Sequence, residues 1–90
     1  MFRFIIKKLH LINFSMALID KLTEGFKERQ RIHNKTESTY FFVLDENGNK
    51  YLQVDTYGSD DRAIPGKVSQ SIQFSPKAIE QLKRILEINF

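Results

Sequence analysis

Ninety residues suffice for one domain near the lower size limit for independent folding. There is no cysteine, which excludes disulfides and thiolate metal sites, and the net charge of +3 permits an anionic partner without requiring one. With no covalent or metal staple to supplement a small core, self-association is the remaining route to further burial.

Residues 1–15 read as an N-terminal extension. Phe2, Phe4 and Ile6 alternate with Arg3 and Ile5, a weak strand pattern. The segment also fits a continuation of the next helix, disordered chain, or residues upstream of a true start at Met16. Lys7, Lys8, His10 and Asn13 interrupt its apolar run well short of the about 20 residues a membrane span needs. They equally break the apolar stretch of a secretory signal. The expectation is a soluble intracellular protein, cytoplasmic or nucleoid-associated, with no membrane partner.

Residues 16–37 read as a basic amphipathic helix followed by a linker. Ser15 is a candidate N-cap. Leu18, Ile19, Leu22, Phe26 and Ile32 recur near helical spacing. Asp20 and Glu24 precede Lys27, Arg29 and Arg31, which matches the helix dipole. The spacing predicts a helix over 16–31, weakened by about 1 kcal/mol at Gly25.

Residues 38–90 read as a sheet-plus-helix unit. Residues 40–44 are aromatic and β-branched, as strands prefer. Asn47-Gly48 suits a two-residue type I′ hairpin turn. That turn pairs Asp45 with Lys50, Val43 with Leu52 and Phe41 with Val54. One face then carries Phe41, Val43, Leu52 and Val54. The other carries Tyr40, Phe42, Tyr51, Gln53, Asp55 and Tyr57. A loop rich in Gly, Ser, Asp and Pro spans 58–66. Residues 67–74 alternate as a third strand, with Val68, Gln70, Ile72 and Phe74 on one side and Ser69, Ser71 and Gln73 on the other. Ser75-Pro76 opens a final helix with an N-cap and a proline at the first helical position. Its stripe of Ile79, Leu82, Ile85 and Leu86 should dock on the apolar sheet face. The expected fold is α+β: an antiparallel sheet of three to four strands, a C-terminal helix on one face and an additional N-terminal helix.

Catalytic and metal motifs are absent from this pattern. His10 and His33 are isolated, and Asp60-Asp61 reads as a solvated loop pair. Asp55, Asp60, Asp61 and Lys67 match no nuclease spacing. Asp55 reads instead as a strand-edge residue bonded to Arg62 or Lys67. No nucleophilic triad, P-loop or dinucleotide motif is present. The expectation is a non-enzymatic protein with no cofactor and no metal.

Single-stranded nucleic acid is held by cationic groups on phosphates and aromatic faces under bases. Tyr40, Phe42, Tyr51 and Tyr57 offer such faces, and Lys50, Arg62 and Lys67 supply charge beside them. Gln53, Ser69, Ser71 and Gln73 add polar contacts. The same aromatics would equally serve a protomer interface or pack beneath the N-terminal helix. A second basic run, Lys27 to Lys35, reads as a solvated helix end that could also contact phosphates.

Residues 48–57, Ile64-Pro65-Gly66-Lys67 and residues 72–76 before an amphipathic helix resemble the positive-cofactor-four type transcriptional coactivators. The likeness covers roughly residues 38–88. It implies a homodimer whose curved antiparallel sheets bind single-stranded DNA, or melted duplex, with little sequence preference. It would implicate Tyr51, Gln53, Arg62 and Lys67. Val68 departs from the second basic residue expected after Pro-Gly, no following glycine is evident, and residues 40–44 carry no basic side chain. The functional expectation is thus a coactivator-like single-strand-binding protein (RNA being a further possible ligand) acting in transcription, replication or repair. The alternative is a protein-interaction or dimerisation module.

Overall fold

The computed structural model describes residues 15–58 and 67–90. Four strands, β1 (Ser15–Ile19), β2 (Ser38–Leu44), β3 (Lys50–Thr56) and β4 (Gln70–Phe74), form one sheet in the order β1-β4-β3-β2. β2, β3 and β4 run antiparallel, and β1 joins β4 in parallel, so the sheet is mixed. Among the described residues one helix, α1 (Pro76–Asn89), follows β4 directly and packs against β3 and β4. The α+β class and the C-terminal helix match the sequence expectation.

The helix expected over residues 16–31 is not formed. Residues 15–19 are strand β1, and 20–37 carry no helix. Leu18 and Ile19 fit strand and helix spacing alike, and the open side of β4 decides between them. In β1 the backbone is bonded along the β4 ladder, from Ser15 opposite Gln70 to Ile19 opposite Phe74. The rest of the supposed apolar stripe has nothing to pack on: Phe26 and Ile32 are 87 % and 94 % exposed. A short helix without a docked face is marginal in water.

The β2–β3 turn also differs from expectation by one residue. Leu44, not Asp45, lies opposite Lys50, and Phe42 lies opposite Leu52. Gly48 N–H donates to Asp45 O at 3.1 Å and Asp45 N–H to Asn49 O at 3.0 Å, which closes a three-residue loop. Gly48 holds φ at +84°, the left-handed conformation such a loop needs after a type I turn. The Asp45 carboxylate selects this form by accepting the N–H groups of Asn47 and Asn49, both at 2.9 Å. These bonds, led by that from Asn49, hold its carboxyl below the ordinary carboxylate range.

The shift exchanges the faces of β2 while leaving β3 as expected. Tyr40, Phe42 and Leu44 share a face with Leu52, Val54, Ile72 and Phe74, and this face carries α1. Phe41 and Val43 share the opposite face with Tyr51, Gln53 and Asp55. The third strand is shorter than expected, beginning at Gln70, but its alternation holds.

α1 begins as expected. Ser75 Oγ accepts the Ala78 N–H at 3.2 Å, and Pro76 opens the first turn. Ser75 also ties the helix to β1: its N–H donates to Ile19 O at 3.0 Å and its hydroxyl to Asp20 Oδ1 at 2.6 Å. Beyond it, Leu22 N–H donates to Gln81 Oε1 and Leu22 O accepts from Gln81 Nε2. The core between helix and sheet is thin. Among the described residues Ala78 is the only fully buried apolar side chain, while Leu52, Val54, Ile72, Phe74, Ile79 and Leu82 are half-buried.

Candidate nucleic-acid interface

The register separates the expected site residues onto two faces. On the helix face, the edge position of β2 leaves Tyr40 and Phe42 69 % and 65 % exposed beyond the cover of α1. Their ring centroids lie 5.9 Å apart in an edge arrangement. The Lys50 ammonium sits 5.3 Å from the Phe42 ring centroid, a cation–π contact worth about 0.5–1 kcal/mol at an exposed site. A concavity of about 370 Å³ runs from Phe42, Lys50, Tyr51 and Leu52 to Pro76, Ile79 and Glu80, although strand alternation sets the Tyr51 side chain on the opposite face. Aromatic faces, an adjacent ammonium and a shallow apolar trough therefore meet in one place. Glu80 is the acidic member of that rim.

The opposite face holds a row of polar side chains that bond to one another. Gln73 Nε2 donates to Gln53 Oε1 at 2.9 Å, and Gln53 Nε2 donates to Asp55 Oδ1 at 3.0 Å. Ser71 Oγ donates to the same carboxylate oxygen at 2.7 Å. The pairings Gln53 opposite Gln73 and Asp55 opposite Ser71 create this row. Asp55 and Ser71 are each 8 % exposed. A groove of about 430 Å³ lies over the row, flanked by Met16, Leu18 and Val68. An acidic floor repels phosphate, and the three neutral side chains already have partners here.

The remaining expected residues are dispersed. Tyr51 is half-buried on the Asp55 face, and the Tyr57 hydroxyl lies 2.9 Å from Thr39 Oγ1. The Ser69 N–H donates to Thr56 O at 2.7 Å, and its carbonyl accepts from Ser15 N–H. Lys67 is exposed just before β4. Arg62, Asp60-Asp61, Pro65-Gly66 and residues 1–14 of the expected extension lie outside the described residues, and Ser15, its last residue, opens β1. Asp55 is bonded to Gln53 and Ser71. Lys27, Arg29, Gln30, Arg31 and His33 surround a hollow of about 260 Å³ on exposed, non-helical chain rather than on a helix end.

Two features were not among the expected site residues. Phe41 is 44 % exposed on the Asp55 face. Asp55 is the acceptor at the centre of the polar row, and only the cross-strand register reveals it. Among the described residues no cluster of three acidic, histidine or cysteine side chains could hold a metal, and no helix is long and apolar enough to cross a membrane. Compared with known proteins, the chain matches no family model, no curated protein and no solved structure.

Proposed function

We propose that the protein binds single-stranded nucleic acid through Tyr40, Phe42 and Lys50 on the helix face of the sheet, without catalysis. The observation that carries this reading is the exposed Tyr40–Phe42 pair with the Lys50 ammonium against it. Bases stack on such rings with little sequence preference, at about 1–3 kcal/mol each. Lys50 would take a phosphate, with the basic run at 27–35 adding charge at longer range. The resemblance to the positive-cofactor-four type coactivators points to the same ligand class and to a role in transcription, replication or repair. It points to a different set of side chains, however. The acidic row on the opposite face argues against Gln53, Ser71 and Gln73 as phosphate ligands.

Comparing the two faces tests this. Phe42→Ala should weaken binding of an oligothymidine by about 5- to 150-fold, the loss of one stacked base. Lys50→Ala should also weaken it, and Tyr51→Ala on the other face should not. Equal losses from Tyr51→Ala and Phe42→Ala would remove the assignment of the face. A second reading, a dimerisation module, is favoured by the outer edge of β2, which pairs with no strand among the described residues.

A further inference from the structure

We propose that β2 pairs antiparallel with β2 of a second copy of this chain, centred on Phe41, to form one continuous eight-stranded sheet. The inference gives the dimerisation reading a register and does not depend on nucleic-acid binding.

β2 is an edge strand of seven residues, Ser-Thr-Tyr-Phe-Phe-Val-Leu. Tyr57 N–H donates to Glu37 O at 3.2 Å and Asp45 N–H to Asn49 O at 3.0 Å. Hydrogen-bonded pairs alternate along an antiparallel ladder. The odd-numbered residues of β2 therefore bond to β3, and the N–H and C=O groups of Ser38, Tyr40, Phe42 and Leu44 point outward. Edge strands are commonly protected by lysine, proline, a bulge or a covering segment. β2 contains no charged residue and no proline.

The occupant is a second copy because the strand is complementary to itself. A two-fold at Phe41 places Ser38 opposite Leu44, Thr39 opposite Val43 and Tyr40 opposite Phe42, so all seven residues overlap. The outward groups of the four even-numbered residues then all find partners. Tyr40 and Phe42 of each copy meet on the helix face, and the two Phe41 rings meet on the other. Tyr40, Phe41, Phe42 and Leu44 are 69 %, 44 %, 65 % and 62 % exposed, so each has area to lose. Aromatic cross-strand pairs stabilise such a ladder beyond its backbone bonds. The thin core leaves this edge as an accessible source of burial. One feature opposes pairing: just beyond the strand, Glu37 falls opposite Asp45 of the second copy. Salt screens that repulsion, so added salt should tighten the dimer, whereas it weakens contacts to phosphate.

The absence of cysteine makes a single-cysteine probe clean. At a non-hydrogen-bonded pair the two residue-41 Cα atoms would lie about 4.5 Å apart, within disulfide reach. Phe41→Cys should therefore form a covalent dimer on mild oxidation. Val43→Cys should not, because the two copies of residue 43 would be roughly 13 Å apart along the strand. Sedimentation equilibrium of the unmodified chain at about 100 μM should give a mass approaching twice 10.6 kDa. Phe41→Lys and Phe42→Pro should sediment as monomers with unchanged circular dichroism, since the Phe42 N–H faces away from β3. A monomeric unmodified chain at that concentration would overturn the proposal. A dimer that Phe41→Lys leaves intact and Phe41→Cys does not cross-link would overturn this interface while leaving dimerisation itself standing.

Discussion

Replacing Ser75 by alanine tests whether this residue, directly after β4, ties the start of α1 to the end of β1. Its hydroxyl accepts the Ala78 N–H and donates to Asp20 Oδ1, and the side chain is almost fully enclosed, at 4 % exposure. Loss of an N-cap costs about 1 kcal/mol. The bond to Asp20 adds less than about 1 kcal/mol, because Asp20 is exposed and water can replace the hydroxyl. The backbone bond from Ser75 N–H to Ile19 O survives in the variant. The total is about 1–2 kcal/mol. For a domain of this size each kcal/mol moves the melting temperature by roughly 4–8 °C, so Ser75→Ala should melt roughly 5–15 °C lower. Ser75→Asn keeps the cap and should fall between the two. Ser75→Asp keeps the cap but sets a second carboxylate against Asp20, so it should be less stable than Ser75→Asn. Thermal unfolding by circular dichroism reads all four. Lys83→Ala is the control, since its 3.5 Å ion pair with Glu80 is exposed and contributes little. A melting temperature for Ser75→Ala equal to that of Lys83→Ala would refute the account of this junction.

Other substitutions examine the turn and the polar row. Gly48→Ala forces a side chain into the left-handed conformation at φ +84° and should cost about 1–2 kcal/mol in urea unfolding, although a Cβ there meets no atom within 4 Å. Asp55→Ala leaves Gln53 and Ser71 without their shared acceptor and should cost about 1–3 kcal/mol. Adding Ser71→Ala should then cost less than it does alone, which a double-mutant cycle measures. Because the Asp45 carboxyl is held below its unfolded value of 3.8, its contribution is present above that value and is lost as pH falls through the folded one. Urea midpoints between about pH 5 and pH 2 should therefore decline more steeply for the natural chain than for Asp45→Asn.

The C-terminal half of the fold is readable because several local signals agree there. Ser75-Pro76 caps and starts α1, and the alternation of residues 70–74 assigns β4 to two faces. Two misreadings have specific physical causes. Asn47-Gly48 also fits a two-residue turn, but Asp45 at the first turn position and Gly48 at the fourth form the wider loop. Its deciding contact is a side chain on backbone N–H groups, which residue spacing does not display. That single residue exchanged the faces of Tyr40, Phe41 and Phe42. Residues 15–19 lack a decisive local signal, and their conformation is set by β4, more than 50 positions later. Within the site, aromatic residue types could be read directly. Whether Gln53, Ser71 and Gln73 were available to a ligand could not, because their engagement with Asp55 depends on which residues the register sets opposite one another.

The central claim, that exposed aromatics beside the Lys50 ammonium hold single-stranded nucleic acid, is tested most directly by the affinity of the unmodified chain for an oligothymidine as salt is varied. Each phosphate contact on a single strand contributes about −0.7 to the slope of log affinity against log salt. Lys50 with one or two further cations should therefore lose about tenfold in affinity between 50 and 200 mM salt while retaining a stacking-driven remainder. Binding that is absent at low salt, or unchanged across that range, would contradict the account.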